Sequence, residues 1–174
     1  DTLVNGVTTD KLIKDCFLSP YVAYGPSKPN LTGVRTSAGD YNKKDLSERT
    51  DTKKLIGDIV EHWIKIASDR KTVIGAVNIA HAEHIAEEFK HNNIKADVIH
   101  CWLKKEEIRV KLDQFRNGDL QVLSSVDLIS RGFDMPTVGC VVAARPTKSL
   151  NYHLQFLGRG LRVAPEKENV IILD

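Results

Sequence analysis

From residue 51 onward, apolar positions fall into alternating blocks of two kinds. Leu55, Ile56, Ile59, Val60, Trp63 and Ile64 recur at helical spacing, with Asp51 or Thr52 placed to cap the helix. Residues 71–77 form a short continuous apolar run, which predicts a buried strand. Ile79, Ala82, Ile85, Ala86 and Phe89 mark a second amphipathic helix, and residues 96–100 a second strand. Ile108, Leu112 and Phe115 mark a third helix, closed by Asn117-Gly118. Strands are predicted over 121–126, 138–144 and 170–173, with a helix over 150–157 opened by Ser149.

Strands alternating with helices imply right-handed crossovers and an α/β fold, a parallel sheet between two layers of helix. Ligands of such sheets sit beyond the carboxyl ends of the strands. Here those ends lead into Asn78, Cys101-Trp102, residues 127–134 and Arg145-Pro146. The first 50 residues read differently. Residues 8–16 suit a short helix with Leu12, Ile13 and Phe17 on its apolar side, and 21–24 a short strand. The rest is expected to be an irregular, turn-rich loop through residue 39. The chain is therefore divided into a connector with an insert loop, 1–50, and a domain, 51–174.

The chain's 174 residues suffice for one sizeable core. A net charge of +2 excludes a polycation but permits a local basic groove. No apolar run reaches the roughly 18–20 residues of a membrane span, so no membrane partner is expected. The start, Asp1-Thr2-Leu3-Val4, has neither a basic nor an apolar leader segment, and it lacks Met. It is read as a cut inside a longer protein. Cys16, Cys101 and Cys140 make no C-x-x-C pair and are read as reduced thiols of a cytoplasmic protein. His81 and His84 are read as a solvated helix face rather than a metal site, since no further ligands stand nearby.

Three segments carry candidate chemistry. In Gln155-Phe156-Leu157-Gly158-Arg159-Gly160-Leu161-Arg162, two arginines three apart share one side of a helical turn, and glycines let backbone approach a partner. Guanidinium groups are permanent, bidentate donors suited to phosphate oxygens. Ser124-Ser125-Val126-Asp127 through Arg131-Gly132-Phe133-Asp134-Met135-Pro136 follows a buried strand. Its small residues can offer donors to phosphates, and Asp134 can accept from a sugar hydroxyl. The third segment runs from Arg109 through Leu112, Phe115 and Gly118 to Val122-Leu123.

In this order and spacing the three resemble the carboxyl-terminal half of superfamily 2 helicases. Residues 109–123 resemble the family's "R…l..F..G…vL" segment, 124–136 its motif V, and 155–162 its motif VI, Q-x-x-G-R-x-x-R. Residues 72–78 fall where motif IV lies. Within the family, the insert with Leu31-Thr32-Gly33-Val34-Arg35-Thr36 and Gly39-Asp40-Tyr41, and the run Arg145-Pro146-Thr147-Lys148-Ser149, are similar to bacterial DNA-repair helicases of the RadD type.

The resemblance implies a RecA-like domain, the second motor domain of an ATP-driven helicase or translocase. ATP with Mg²⁺ would be held mainly by a first RecA-like domain. Arg162 would be the principal finger to the γ-phosphate, with Arg159 its partner and Gln155 orienting the helix or the phosphate surroundings. Gly132, Gly158 and Asp134 would line the nucleotide, Asp134 meeting the ribose or holding Arg159. A single-stranded or forked DNA would run over Asn78, Trp102, Ser124, Ser125, Arg131 and Gly132. A bacterial cytoplasm or nucleoid is the expected location.

The sequence also departs from the family pattern. Relatives often end the strand before motif V in Thr-Asp, where this chain has Val126-Asp127, so that phosphate contact falls to Ser124, Ser125 or backbone. No G-x-x-x-x-G-K-[ST] loop and no Asp-Glu box occurs, so the chain alone is expected to be inactive. A non-catalytic nucleic-acid-binding or regulatory domain is the rival reading. A Rossmann-like enzyme would require G-x-G-x-x-G, which Gly75-Ala76-Val77-Asn78 does not supply.

Overall fold

Short buried strands set the frame. The computed structural model describes residues 6–25, 27–127 and 134–174. In chain order its strands are β1 (Tyr21–Tyr24), β2 (Thr36–Ser37), β3 (Asp40–Tyr41), β4 (Thr72–Gly75), β5 (Ala96–Ile99), β6 (Val122–Ser125), β7 (Cys140–Val142) and β8 (Val170–Leu173). Its helices are α1 (Thr9–Lys14), α2 (Lys43–Thr50), α3 (Lys53–Ile66), α4 (Ile79–His91), α5 (Lys105–Asn117) and α6 (Leu150–Leu157). Six strands make one sheet in the order β1-β8-β7-β4-β6-β5, and each neighbouring pair is parallel. All six carboxyl ends therefore share one rim.

Alternate residues of each strand feed two cores, as the period of two requires. Ile74, Val122, Cys140, Val142 and Ile171 meet α3 and α4. Val73, Leu123, Val141 and Val170 meet Phe115 of α5 and Phe156 of α6. Trp63 and Phe89 pack edge to face at 5.2 Å, and the Trp63 indole donates to Thr72 Oγ1 at 2.6 Å, which satisfies its one buried donor. Polar caps begin the helices: Thr52 Oγ1 accepts from Leu55 N, Asn78 Oδ1 from His81 N, and Ser149 Oγ from Tyr152 N. Gly118 closes α5 at φ 91°, a left-handed conformation that favours glycine.

The first 50 residues are more ordered than their sequence suggests. β1 pairs with β8, Tyr21 opposite Val170, and so forms an edge of the sheet. Residues 36–41 form a hairpin, its turn at Ala38 and Gly39 with φ of 50° and 82°. Asn42 caps α2 through Lys44 N and Asp45 N. Only Leu46 and Thr50 of α2 are buried, so no apolar stripe announces this helix.

The histidine reading needs one correction. His84 is exposed and bonds Asp51 at 2.8 Å, but His81 is 1% exposed. Position 81 lies four and eight residues before Ile85 and Phe89, which places it on the buried stripe of α4.

Candidate functional site

The candidate residues lie at two ends of the sheet. On the carboxyl rim, Asn78 is fully engaged: Oδ1 caps α4, and Nδ2 donates to Ser47 Oγ at 2.8 Å. Trp102 follows β5 and is 81% exposed, which leaves its indole face open to stacking. Asp127 follows β6 with φ 51°. Its carboxylate accepts from Arg145 Nη1 at 2.8 Å and from Lys43 Nζ at 2.9 Å.

Arg145, after β7, is the hub of this rim. Its side chain is 9% exposed, lies 4.2 Å over the Tyr152 ring, and donates through Nη2 to Asp40 Oδ2 at 3.1 Å. Asp40 also accepts from Thr147 Oγ1 and Lys148 N, both at 2.8 Å. Burial alone would raise the Asp40 pKa; the bonds from Lys148, Thr147 and Tyr41, with the Arg145 charge, outweigh it and hold the carboxyl below its ordinary value. The hairpin, a residue of motif V and the loop before α6 are thus joined through one guanidinium.

Two expected strand contacts are corrected. Ser124 and Ser125 are 0% and 1% exposed, because β6 is an inner strand covered on both faces. The Ser125 hydroxyl donates to Ile74 O at 3.4 Å. Neither side chain is available to a strand laid over the rim. Arg131 and Gly132 lie outside the described residues.

The arginines lie toward the other rim. Arg162 pairs with the Asp134 carboxylate, a partnership that neither expected role of Asp134, meeting the ribose or holding Arg159, included. Ser19, just ahead of β1, donates N to Leu161 O at 2.8 Å and Oγ to Arg162 O at 3.0 Å. Lys167 Nζ donates to Gly160 O at 2.5 Å, Arg162 O at 2.9 Å and Pro136 O at 3.1 Å. Since Ser19 and Pro136 precede β1 and β7, these bonds fix the arginine segment near the strands' amino ends. Burial, with Arg70 nearby, pushes the Lys167 ammonium down to about 8. A Cβ at Gly160 would stand 2.9 Å from Val170 Cγ2, so glycine there allows the segment to lie on the sheet. Gly158 ends α6, and Gln155 Nε2 donates to Asn151 Oδ1 at 2.9 Å.

Residues 53–164 match the helicase conserved C-terminal domain. The chain belongs to that family. A phage protein of 51.5 kDa, from Lactococcus phage (isolate 7-9), is 33% identical to this helicase C-terminal domain over 172 residues, covering 99% of the chain and 38% of the phage protein. "Putative ATP-dependent helicase IRC3" of Saccharomyces cerevisiae is 30% identical over 148 residues, 83% of the chain and 22% of the yeast protein. The chain thus spans less than half the length of either relative. The structure of the RNA-helicase Prp28 from Chaetomium thermophilum, bound to ADP, superposes with a TM-score of 0.60 at 18% identity, over 90% of this chain and 32% of that one. At that identity it shows the fold, which is RecA-like. This is a superfamily 2 helicase C-terminal domain.

Sequence reasoning missed Lys43, Asp40 and Lys167 in the helicase domain and left Arg145 without a role. Each stands in a loop, in the short strand β3 or at a helix start, with at least one partner distant in sequence; Arg145 and Asp40 are 105 positions apart. Among the described residues, no group of three or more His, Cys, Asp or Glu side chains is arranged to hold a metal. No described helix is long and apolar enough to cross a membrane.

Proposed function

We propose that the intact protein is an ATP-dependent helicase or translocase in which this domain is the second motor domain. The observation that carries the proposal is the arginine segment: Arg162 lies in the turn segment that follows α6, paired with Asp134, its backbone tied by Lys167 and Ser19. Its side chain is 40% exposed, so the guanidinium can turn from Asp134 to a phosphate delivered from outside the domain. These residues fit ATP as donors from one side only, since the chain has no phosphate-binding loop of its own.

Bound ATP with Mg²⁺ supplies the phosphoanhydride that is hydrolysed. The chain's part is to place fixed positive charge where negative charge grows in the transition state. Arg162 is the principal donor, Arg159 the second, and Gln155 orients the last turn of α6, from which their segment continues. Asp134 holds Arg162 until the phosphate competes for it, and Gly158 keeps the backbone close. Residues 1–50 connect this domain to a first RecA-like domain.

A single-stranded or forked DNA is the track, running along the carboxyl rim past Trp102, with the cap residue Asn78 beneath it. Kinship with RadD-type DNA-repair helicases supports DNA over RNA. That kinship rests on Leu31-Thr32-Gly33-Val34-Arg35-Thr36 and on Arg145-Pro146-Thr147-Lys148-Ser149, and it carries with it a bacterial cytoplasmic location.

The test compares ATP hydrolysis by the 174-residue chain and by the intact protein, with and without single-stranded DNA. The intact protein is expected to turn over and to be stimulated by the strand, the isolated chain to do neither. Robust hydrolysis by the isolated chain would overturn the proposal.

A further inference from the structure

Behind the carboxyl rim lies a cavity of about 310 Å³ that neither the arginine segment nor the strand track uses. Leu55 and Ile59 of α3, Val142 and Ala144 at the end of β7, and Leu173 of β8 give it apolar walls. Ser27, Lys28 and Asp174, all exposed, line it as well and mark its open side. Two polar side chains stand deeper. Thr50 is satisfied, donating to Leu46 O at 3.0 Å. His81 is not. Its Nε2 is buried and has no hydrogen-bond partner among the described residues.

The chemistry of that nitrogen is fixed by its neighbour. His81 Nδ1 accepts from Val77 N at 3.4 Å, so the proton of the neutral ring resides on Nε2. The cavity wall therefore offers one unused donor in apolar surroundings, and a buried donor without an acceptor is costly. A charged acceptor would lose its hydration on entering at far greater cost than a neutral carbonyl oxygen. The cavity thus suits a neutral, largely apolar body that offers a carbonyl oxygen.

The cavity also adjoins the strand track. Asn78 at the end of the motif IV segment caps the turn of α4 that carries His81, and Pro146 in the cavity wall follows the hub residue Arg145. We propose that the cavity takes one nucleobase, unstacked from a strand on the carboxyl rim, through a hydrogen bond from His81 Nε2 to a ring carbonyl oxygen. Lys28 stands at the open side, where the adjoining phosphate would lie. The inference rests on the strand track proposed above.

The test follows the His81 ring signals by NMR while the chain is titrated with oligo-thymidylate, with an abasic strand of equal length, and with free thymidine. The His81 signals are expected to move with oligo-thymidylate and to stay still with the abasic strand. Oligo-thymidylate should bind tighter than the abasic strand, partly by stacking on Trp102 and by about a further fivefold from the pocket, the worth of one neutral hydrogen bond. Ala144→Leu, which narrows the cavity, should remove that further fivefold and leave abasic binding unchanged. If both strands bind and His81 stays still, the base pocket is wrong while the track stands. If neither strand binds, the track itself is wrong. A shift with thymidine but with neither strand would make this a site for a free heterocycle and overturn the strand-bound base. Should Ala144→Leu not fold, the two strands on the native chain decide the question.

Discussion

Arg145 Nη1 meets Asp127 Oδ1 at 2.8 Å, and through this contact the loop before motif VI holds a residue of motif V. The same guanidinium bonds Asp40 of the hairpin. Arg145→Met keeps much of the stem packing but strands two carboxylates. Asp127 is half exposed and Lys43 also serves it, so the loss should be smaller than for a fully buried pair, about 2 kcal/mol. Urea denaturation of the isolated chain measures it. A double-mutant cycle with Asp40→Asn should show coupling, and strict additivity would mean the contact contributes nothing.

Lys167 ties three carbonyls from two segments, Gly160 and Arg162 on one side and Pro136 on the other. Lys167→Met removes all three donors and should destabilise the chain by roughly 2 kcal/mol. It should also lower kcat of the intact enzyme more than it changes KM for ATP, because it loosens the arginines without touching the substrate. Unchanged kcat alongside reduced stability would confine Lys167 to a structural role.

His81 and His84 of α4 should titrate in opposite directions. Burial first, and the neighbouring His84 charge, push His81 down to about 4, with Asp51 opposing. In the unfolded chain it takes a proton near its ordinary 6.5, so between those values the unfolded state binds more protons and stability falls as the pH drops. The hydrogen bond to Asp51 raises His84, whose contribution is present below its unfolded pKa and is lost as pH rises through its folded one. NMR titration should find His84 protonating above the ordinary value and His81 still neutral at pH 5. A shared midpoint for the two rings would contradict the burial of His81.

Cys140 is buried, and desolvation pushes its thiol up to about 12, whereas Cys16 and Cys101 are exposed. A thiol-alkylating reagent at neutral pH should modify the two exposed cysteines in the native chain and reach Cys140 only on denaturation. Mass spectrometry of tryptic peptides reads this directly. Rapid labelling of Cys140 in the native state would mean that the inner sheet opens.

How much of this was legible in the sequence depends on whether one stretch of chain carries its own signal. β4, β7 and β8 are covered on both faces, so their apolar runs are continuous and readable. α3, α4 and α6 announce themselves by stripe and cap. α2 does not, because its one large apolar contact is Leu46 and its stability comes from Asn42 and from the bond of Arg35 to Asp45 at 2.7 Å. The hairpin turn escaped because Ala38 adopts positive φ where Asn or Gly is the expected signal. Motif VI was readable as residues but not as geometry: that Arg162 pairs with Asp134, and that Lys167 closes the segment, are facts of tertiary proximity. Ser124 and Ser125 misled for the opposite reason, since small polar residues in an inner strand look like donors until burial is known.

The central claim is that Arg162 and Arg159 act on ATP bound outside this domain. Single-turnover ATP hydrolysis by the intact protein, native against Arg162→Ala and Arg159→Ala, tests it most directly, with nucleotide binding measured in parallel. The account predicts that Arg162→Ala slows the chemical step by at least about 10³-fold, with Arg159→Ala also strongly impaired, while nucleotide affinity changes far less. Near-native hydrolysis by both variants would contradict it.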